Sequence, residues 1–394
     1  MEMEQSMTET IKLYDRDAYA TEFDAVVLSC EAMDDGAVYR IVLDQTLFFP
    51  EEGGQTPDRG ELAGEPVLDV QIKQGIVYHK LAKPLVPGTA VHGKIDWTHR
   101  FYNMQQHSGE HIFSGLVHRA YGYDNVGFHL SNQIVTMDFN GVLSEAQAEE
   151  LERKVNEIIV KNLPIQTGYP TAEELAVLEY RSKIELDGPV RIVTIPEVDA
   201  CACCAPHVAR TGEIGMFKIM NMQSYKGGVR ISFLCGFRAL ADYRQRIQVI
   251  SELSAGLSAG QEMLVMAVEK LKNANQELKY KLTGEKQRYL TEKIAAIPKE
   301  QEHVLLFEED LEPLVVRNAV NQLTAEHTGI CAVFTAAGEN GYQFILASAA
   351  QDVREIMKEM KEKLGARGGG SAAMVQGSVQ ATQAQLLDLL RKAE

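Results

Sequence analysis

The chain has 394 residues, 45% apolar and 24% charged, enough for two to four domains with full cores. Its net charge of −16 excludes a general nucleic-acid coat, which needs positive potential over most of its surface, and leaves room only for a local basic patch. No run reaches the length of a membrane span, and Met1-Glu2-Met3-Glu4-Gln5 lacks a basic segment leading into an apolar one, so a soluble cytoplasmic protein is expected, with no membrane contact.

Residues 1–95 read as β structure. Ala25–Cys30, Ala37–Leu43, Val67–Ile72 and Ile76–Leu81 are short apolar or alternating runs parted by Asp, Gly and Pro, a spacing that predicts a small β-barrel. Inside it lies the loop Thr46-Leu47-Phe48-Phe49-Pro50-Glu51-Glu52-Gly53-Gly54-Gln55. The paired glycines Gly53 and Gly54 let backbone approach a ligand, and Thr46 and Gln55 offer neutral hydrogen-bonding groups.

Residues 96–240 have a mixed α+β pattern. A helix over Asn103–Arg119 puts His107 and His111 on one face, four residues apart. A second helix spans Ser144–Asn162, and strands follow at Gln133–Phe139, Val190–Ile195 and Val229–Cys235. After the second of these strands comes Cys201-Ala202-Cys203-Cys204-Ala205-Pro206-His207, which holds three of the chain's six cysteines. Cysteines clustered beside a histidine read as ligands in a reducing compartment, not as a disulfide framework. Cys203 and His207 repeat the four-residue offset of His107 and His111, and one thiolate with three imidazoles completes a tetrahedron for Zn²⁺, one ion per chain. From Lys218 to Arg246, six cations face the single acid Asp242, and among them Lys226 and Arg230 are candidate nucleic-acid contacts.

Residues 241–298 read as a long charged helix. Ile250, Leu257, Leu264, Leu271 and Leu278 recur every seventh residue, with Val268, Asn275 and Leu282 between them. Gly256 and Gly260 weaken the first turns, so the strong portion begins near Gln261. This seam suits either a homodimer through residues 250–282, with Asn275 fixing register, or a helical hairpin closed by Arg288–Ile297. Residues 299–394 read as an α/β unit. Strands are expected at Val304–Phe307, Ile330–Phe334 and Tyr342–Ala347, helices at Leu314–Ala325, Ala350–Leu364 and the C-terminus. Its Arg367-Gly368-Gly369-Gly370 run, ahead of a helix, would offer backbone N–H groups to a phosphate. It is neither a Walker sequence nor a dinucleotide fingerprint, so no nucleoside-triphosphate site is expected.

Taken in order, His107-x-x-x-His111 and Cys203-x-x-x-His207 with Thr211-Gly212-Glu213-Ile214-Gly215 resemble the editing domain of alanyl-tRNA synthetase. The Phe49–Gln55 loop is similar to that family's glycine-rich loop, and Arg367–Ser371 with Met374 and Gln376-Gly377 to its terminal nucleic-acid-binding domain. No class II synthetase catalytic domain precedes the barrel here, so the likeness is to the free-standing long-form editing family. The two-pair motif also marks threonyl-tRNA synthetase editing domains, some of them metal-free, but the terminal glycine-rich segment sides with the alanine family. The resemblance implies hydrolysis of serine, and of glycine, wrongly esterified to the alanine tRNA. His107, His111, Cys203 and His207 would hold the metal, Thr46 would read the seryl hydroxyl, and Gly53, Gly54, Gln55 and His129 would line the pocket. The sequence departs from the family between Cys203 and His207, where Gly and Thr are usual, and Cys201 or Cys204 could compete as ligand.

Two other readings compete. His107-x-x-Glu110-His111 also fits the inverted zinc-protease pattern, with Glu110 as general base, but this needs a carboxylate third ligand and leaves Cys203 and His207 without a purpose. A closed zinc site that only stabilises a tRNA-binding protein is the non-enzymatic alternative.

Overall fold

A computed structural model describes residues 9–33, 37–131, 134–182, 189–338 and 341–391. Met1–Gln5, Gln133 and the last three residues of the expected terminal helix lie outside them. The chain forms two compact units, residues 1–249 and 250–394, each of them multilayered α+β.

The first unit opens with β1 (Ile11–Lys12), β2 (Glu22–Met33), β3 (Val38–Leu43), β4 (Gln45–Thr46), β5 (Gly60–Leu62), β6 (Glu65–Pro66), β7 (Asp69–Lys73), β8 (Ile76–Leu81) and β9 (Ala90–Ile95). Seven of these make a sheet in the order β6-β5-β9-β2-β3-β8-β7, and β1 pairs with β4 in parallel. The sheet has two ends, so its hydrogen bonding does not close the expected barrel. Alternation along β8, with Val77, His79 and Leu81 inward, turns one face onto a core of Phe23, Ile41, Phe48 and Val70.

Asp96 then caps α1 (Trp97–Tyr121) by accepting from the His99 N–H, and Gly122 ends it in the left-handed conformation. The helix is longer than its apolar periodicity suggests and is buried over most of its length. β10 (Asn125–Leu130), β11 (Val135–Phe139), α2 (Glu145–Lys161), β12 (Gln166–Gly168), α3 (Ala172–Val177), β13 (Ile192–Ile195), β14 (Asp199–Ala202), β15 (Phe217–Tyr225) and β16 (Gly228–Cys235) follow. A Ser144–Gln147 capping box starts α2 and Asn162 ends it, within the Ser144–Asn162 span that the sequence predicts. An antiparallel sheet, β10-β11-β16-β15, backs α1, and β12-β13-β14 forms a smaller one. Close approach of α1 to β16 depends on Gly109, where an added Cβ would stand 2.4 Å from Cys235 Sγ. Helix α4 (Gly236–Leu257) runs across the unit boundary.

The long helix expected over 241–298 is broken where Gly256 and Gly260 mark its weak first turns. Ser258 takes a left-handed φ of +48°, Gly260 is extended, and α5 (Leu264–Ala295) starts afresh. Two glycines and a serine so close together lack the propensity to carry the helix through. Nor does Arg288–Ile297 return as a hairpin: α5 continues to Ala295, and its Leu290 and Ile294 join the core of the second unit. The heptad residues Val268, Leu271, Leu278 and Leu282 are exposed.

The second unit continues with β17 (Val304–Glu308), α6 (Pro313–Glu326), β18 (Ile330–Ala336), β19 (Tyr342–Ser348), α7 (Val353–Leu364), β20 (Arg367–Gly370), β21 (Met374–Val379) and α8 (Gln383–Arg391). The sheet order is β17-β18-β19-β21-β20, with α5 and α6 over one face and α7 and α8 over the other. The triple glycine is thus an exposed edge strand paired with β21, not the N-terminus of a helix. Its distance in sequence from α8 removes the helix-dipole argument for a phosphate there.

Candidate functional site

The four sequence-predicted ligands come together. His107 and His111 lie one turn apart on α1, and Cys203 and His207 arrive on the loop after β14. Cys203 Sγ stands 3.6 Å from His107 Nε2 and 3.4 Å from His207 Nε2, and one donor atom from each of the four residues lies within 4.8 Å of the others. A tetrahedral Zn²⁺ with ordinary Zn–N and Zn–S bonds separates N and S ligands by about 3.5 Å, so the donor set and its spacing fit a metal.

Each ring is aimed by its other nitrogen. His107 Nδ1 meets Gln55 Oε1 at 2.9 Å, His207 Nδ1 meets Ser108 Oγ at 3.0 Å, and His111 Nδ1 meets Asp199 Oδ2 at 3.1 Å. Asp199 is itself gripped by Arg181, through Nε and Nη2 at 2.8 Å each. This leaves the Nε2 atoms for the centre, the arrangement by which histidine ligands are normally oriented. Arg191 shapes the Cys203–His207 loop, donating to the Cys203 and Ala205 carbonyls at 2.9 Å.

The three clustered cysteines are electrostatically unlike. Burial raises the Cys203 thiol, but the imidazoles of His107, His111 and His207 outweigh it and hold that thiol well below the ordinary range. Cys201 and Cys204 are both pushed up, chiefly by burial. Burial depresses His207 to about 3, and it also opposes charge on His111, where Asp199 and Cys203 reverse the effect and raise the imidazole well above its usual value. Cys203 is therefore the thiolate of the group. Cys201 groups instead with His111 and Asp199, and Cys204 belongs to neither set of donors.

His107, His111 and Cys203 of the cluster line a cleft of about 550 Å³, whose walls also include Glu52, Gly53, Glu110, Phe128, Tyr169 and Arg191; His207 is not part of that lining. The glycine-rich loop is sewn to β10 by Leu130 N–H to Gly54 O and Thr56 N–H to Leu130 O. Arg100 anchors it from below through a fully buried pair with Asp58, whose carboxylate also accepts from Phe49 N–H at 2.7 Å.

Other expected residues are placed differently. Thr46 is buried beneath the loop and absent from the cleft wall; its hydroxyl lies 2.9 Å from His79 Nε2 and accepts from Phe48 N–H at 3.1 Å. His129 is exposed on β10, one residue beyond cleft-lining Phe128, because successive strand residues face opposite ways. Gln55 is buried behind His107, not on the wall. Lys226 sits in the β15–β16 turn, over the Tyr225 ring. Arg230 stacks on Tyr225 and holds both carboxylate oxygens of Asp138, at 2.6 and 2.7 Å, so its charge is already matched. Glu110, the general base of the protease reading, takes hydrogen bonds from Ser114 and Asn125, and among the described residues no carboxylate groups with both His107 and His111 as the third ligand that reading requires. Ser108, Arg181, Asp199 and Arg191 were not foreseen; no spacing rule marks them, because they come from separate elements.

This fold and site define a protein of the aminoacyl-tRNA synthetase editing-domain class. Residues 190–232 match the family model described as threonyl and alanyl tRNA synthetase second additional domain, and residues 3–99 match that of class II (A) tRNA synthetases. The alanyl-tRNA editing protein AlaX-L of Pyrococcus horikoshii is 28% identical, covering 96% of each chain. Alanyl-tRNA editing protein Aarsd1-B of Xenopus laevis is 34% identical over 66% of each. An alanine–tRNA ligase of Ignicoccus hospitalis is 27% identical over 92% of this chain but only 40% of its own. The chain belongs to the alanyl-tRNA editing proteins.

Proposed function

We propose that this protein hydrolyses the ester linking serine, and also glycine, to the alanine tRNA, at the cleft lined by His107, His111 and Cys203, with His207 completing the donor cluster. The observation that carries the reading is the convergence of these four donors, three of them lining a cleft whose volume is in the range of small-molecule sites. The printed names of the long relatives, alanyl-tRNA editing proteins, supply the substrate class.

Zinc is the metal these donors suit, and when bound it supplies an activated water and polarisation of a carbonyl. The chain's own residues do the rest. The acceptor oxygens of Gln55 and Asp199 fix the tautomers of His107 and His111, Ser108 positions the ring of His207, and Arg191 fixes the path of the Cys203–His207 loop. Phe128, with its ring 4.8 Å from that of His107, walls one side and excludes water. We assign Thr46 to support of the glycine-rich loop, since its hydroxyl is spent on His79 and Phe48 N–H. Gly53 remains on the wall, where a substrate can approach backbone. Lys226 and exposed Arg367, on the Gly368–Gly370 edge strand, are the proposed tRNA contacts; Arg230 positions Tyr225 and Asp138. A homodimer through the 250–282 seam is proposed for its continuous part, Leu264 to Leu282, and a monomeric mass in solution would exclude it.

The deciding experiment compares deacylation of Ser-tRNA(Ala) and Ala-tRNA(Ala) by purified protein, with and without a chelator. Hydrolysis of the seryl ester, sparing of the alanyl ester and loss on chelation are expected. Cleavage of both esters at one rate would refute the reading.

A further inference from the structure

Two side chains on the cleft wall, Tyr169 and Lys12, take no part in grouping the metal donors or in aiming them. The Tyr169 side chain is exposed, with 53% of the residue open to solvent, and it also borders a second hollow of about 400 Å³ lined by Gln166, Gly168 and Ile192. Its hydroxyl donates to Asp15 Oδ2 at 2.9 Å, and Asp15 in turn meets Arg191 Nε at 3.3 Å, so the ring is held from its far end. Among the described residues no other aromatic ring packs on it. Lys12 is partly buried on β1, set opposite Thr46 by the parallel pairing with β4, and the Ile11 N–H donates to Asp44 O at 2.9 Å. The other charged side chains of the wall are engaged: Arg191 with Asp15 and two carbonyls, Glu110 with Ser114 and Asn125, Glu52 with the Cys204 thiol. Lys12 has neither ion pair nor hydrogen bond among the described residues. A fixed, bare ring suits the π-face of a base, and an unmatched ammonium suits a phosphate, the more so in a chain of net charge −16.

We propose that Tyr169 stacks on the base of the nucleotide that carries the ester, and that Lys12 receives the phosphate of that nucleotide. This rests on the editing reading above and deepens it, by naming what holds the end of the RNA while the ester meets the donor cluster. Stacking is tolerant of base identity, so the ring positions the nucleotide without reading sequence. The same chain of contacts links this platform to the ligand loop. Tyr169 holds Asp15, Asp15 pairs with Arg191, and Arg191 donates to the Cys203 and Ala205 carbonyls. Base and thiolate are thereby placed from one anchor.

The test follows hydrolysis of seryl-tRNA(Ala), and of the same ester on a tRNA whose terminal ribose lacks its base, by wild type, Tyr169→Leu and Tyr169→Phe, with the metal content of each. Removing either the base or the ring should raise KM by about 5- to 150-fold and change kcat less. Removing both should cost little more than removing one, and Tyr169→Phe should keep most of the affinity. Lys12→Gln should lower the slope of log KM against log salt concentration by about 0.7, the share of one phosphate on a single strand, and Lys12→Arg should restore it. A wild-type KM in Tyr169→Leu, or additive losses of ring and base, overturns the stacking. An unchanged salt slope in Lys12→Gln overturns the phosphate contact. Loss of metal in both Tyr169 variants would reduce Tyr169 to a support of the ligand loop through Asp15. Failure of wild type to cleave seryl-tRNA(Ala) would remove the editing reading itself, a result distinct from cleavage that ignores ring and base.

Discussion

Replacing Asp199 by Asn tests whether the ring of His111 is aimed by its outer nitrogen. In the native arrangement Oδ2 takes both His111 Nδ1, at 3.1 Å, and Arg181 Nη2, while Oδ1 takes Arg181 Nε. These contacts hold the carboxyl below its usual range despite burial, so it is an acceptor at neutral pH. An asparagine keeps one acceptor oxygen and gains two N–H donors. If the oxygen stays with Arg181, the amide donates to His111 Nδ1 and forces the proton onto Nε2, the atom the cluster needs free. If the oxygen turns to His111, an N–H faces the Arg181 guanidinium and leaves a largely buried cation short of an acceptor. Either outcome weakens the site. Loss of such an outer partner lowers metal affinity by about 10- to 100-fold, or about 1.4–2.8 kcal/mol. Competition for zinc against a chromophoric chelator at fixed pH reads this directly, and the melting temperature of the metal-free protein reads the structural cost separately. Unchanged zinc affinity with only a lower melting temperature would reduce Asp199 to a structural partner of Arg181 and refute the orienting role.

Cys203→Ala should abolish both zinc retention and deacylation, whereas Cys204→Ala should keep its metal; equal loss in the two, measured by metal analysis, would show that the ligand set is misassigned. Gly54→Ala should destabilise the protein by more than about 2 kcal/mol, since the position has φ +82° and the new methyl would lie 2.1 Å from the Phe128 carbonyl oxygen, and a denaturant melt within error of wild type would contradict this. His79 is fully buried, and burial lowers it to about 4. The unfolded chain therefore takes up its proton first as pH falls below about 6.5, so stability should drop between pH 6.5 and 4 by up to about 3 kcal/mol from this residue. His79→Gln should flatten that part of the stability–pH curve, and a curve unchanged in slope would show that His79 is not responsible.

The elements around the ligands were legible because each rests on local physics. The four-residue offset of His107 and His111 needs only a helix to put them on one face, and Ser144 with Gln147 is a start signal written within one turn. The break in the long helix was partly legible, since Gly256 and Gly260 mark weak turns ahead of Gln261; the heptad spacing persists through them because spacing records where apolar residues fall, not whether the backbone can stay helical between them. The triple glycine was misplaced for a related reason, since Gly368–Gly370 suits a phosphate loop and a close strand pair equally well. The family resemblance drew His129 and Thr46 toward the cleft, yet strand alternation turns one outward and burial under the loop removes the other from the wall.

Sequence alone determined the chemistry available, two histidines on a helix and a thiol–imidazole pair on a distant loop, because residue type and helical offset are local properties. Only the tertiary structure decided what those groups became. It selected Cys203 over Cys201 and Cys204 as the thiolate and turned every imidazole by a partner from another element. Such outcomes depend on burial and on contacts between residues up to about a hundred positions apart, such as Ser108 and His207, and no periodicity along the chain encodes them.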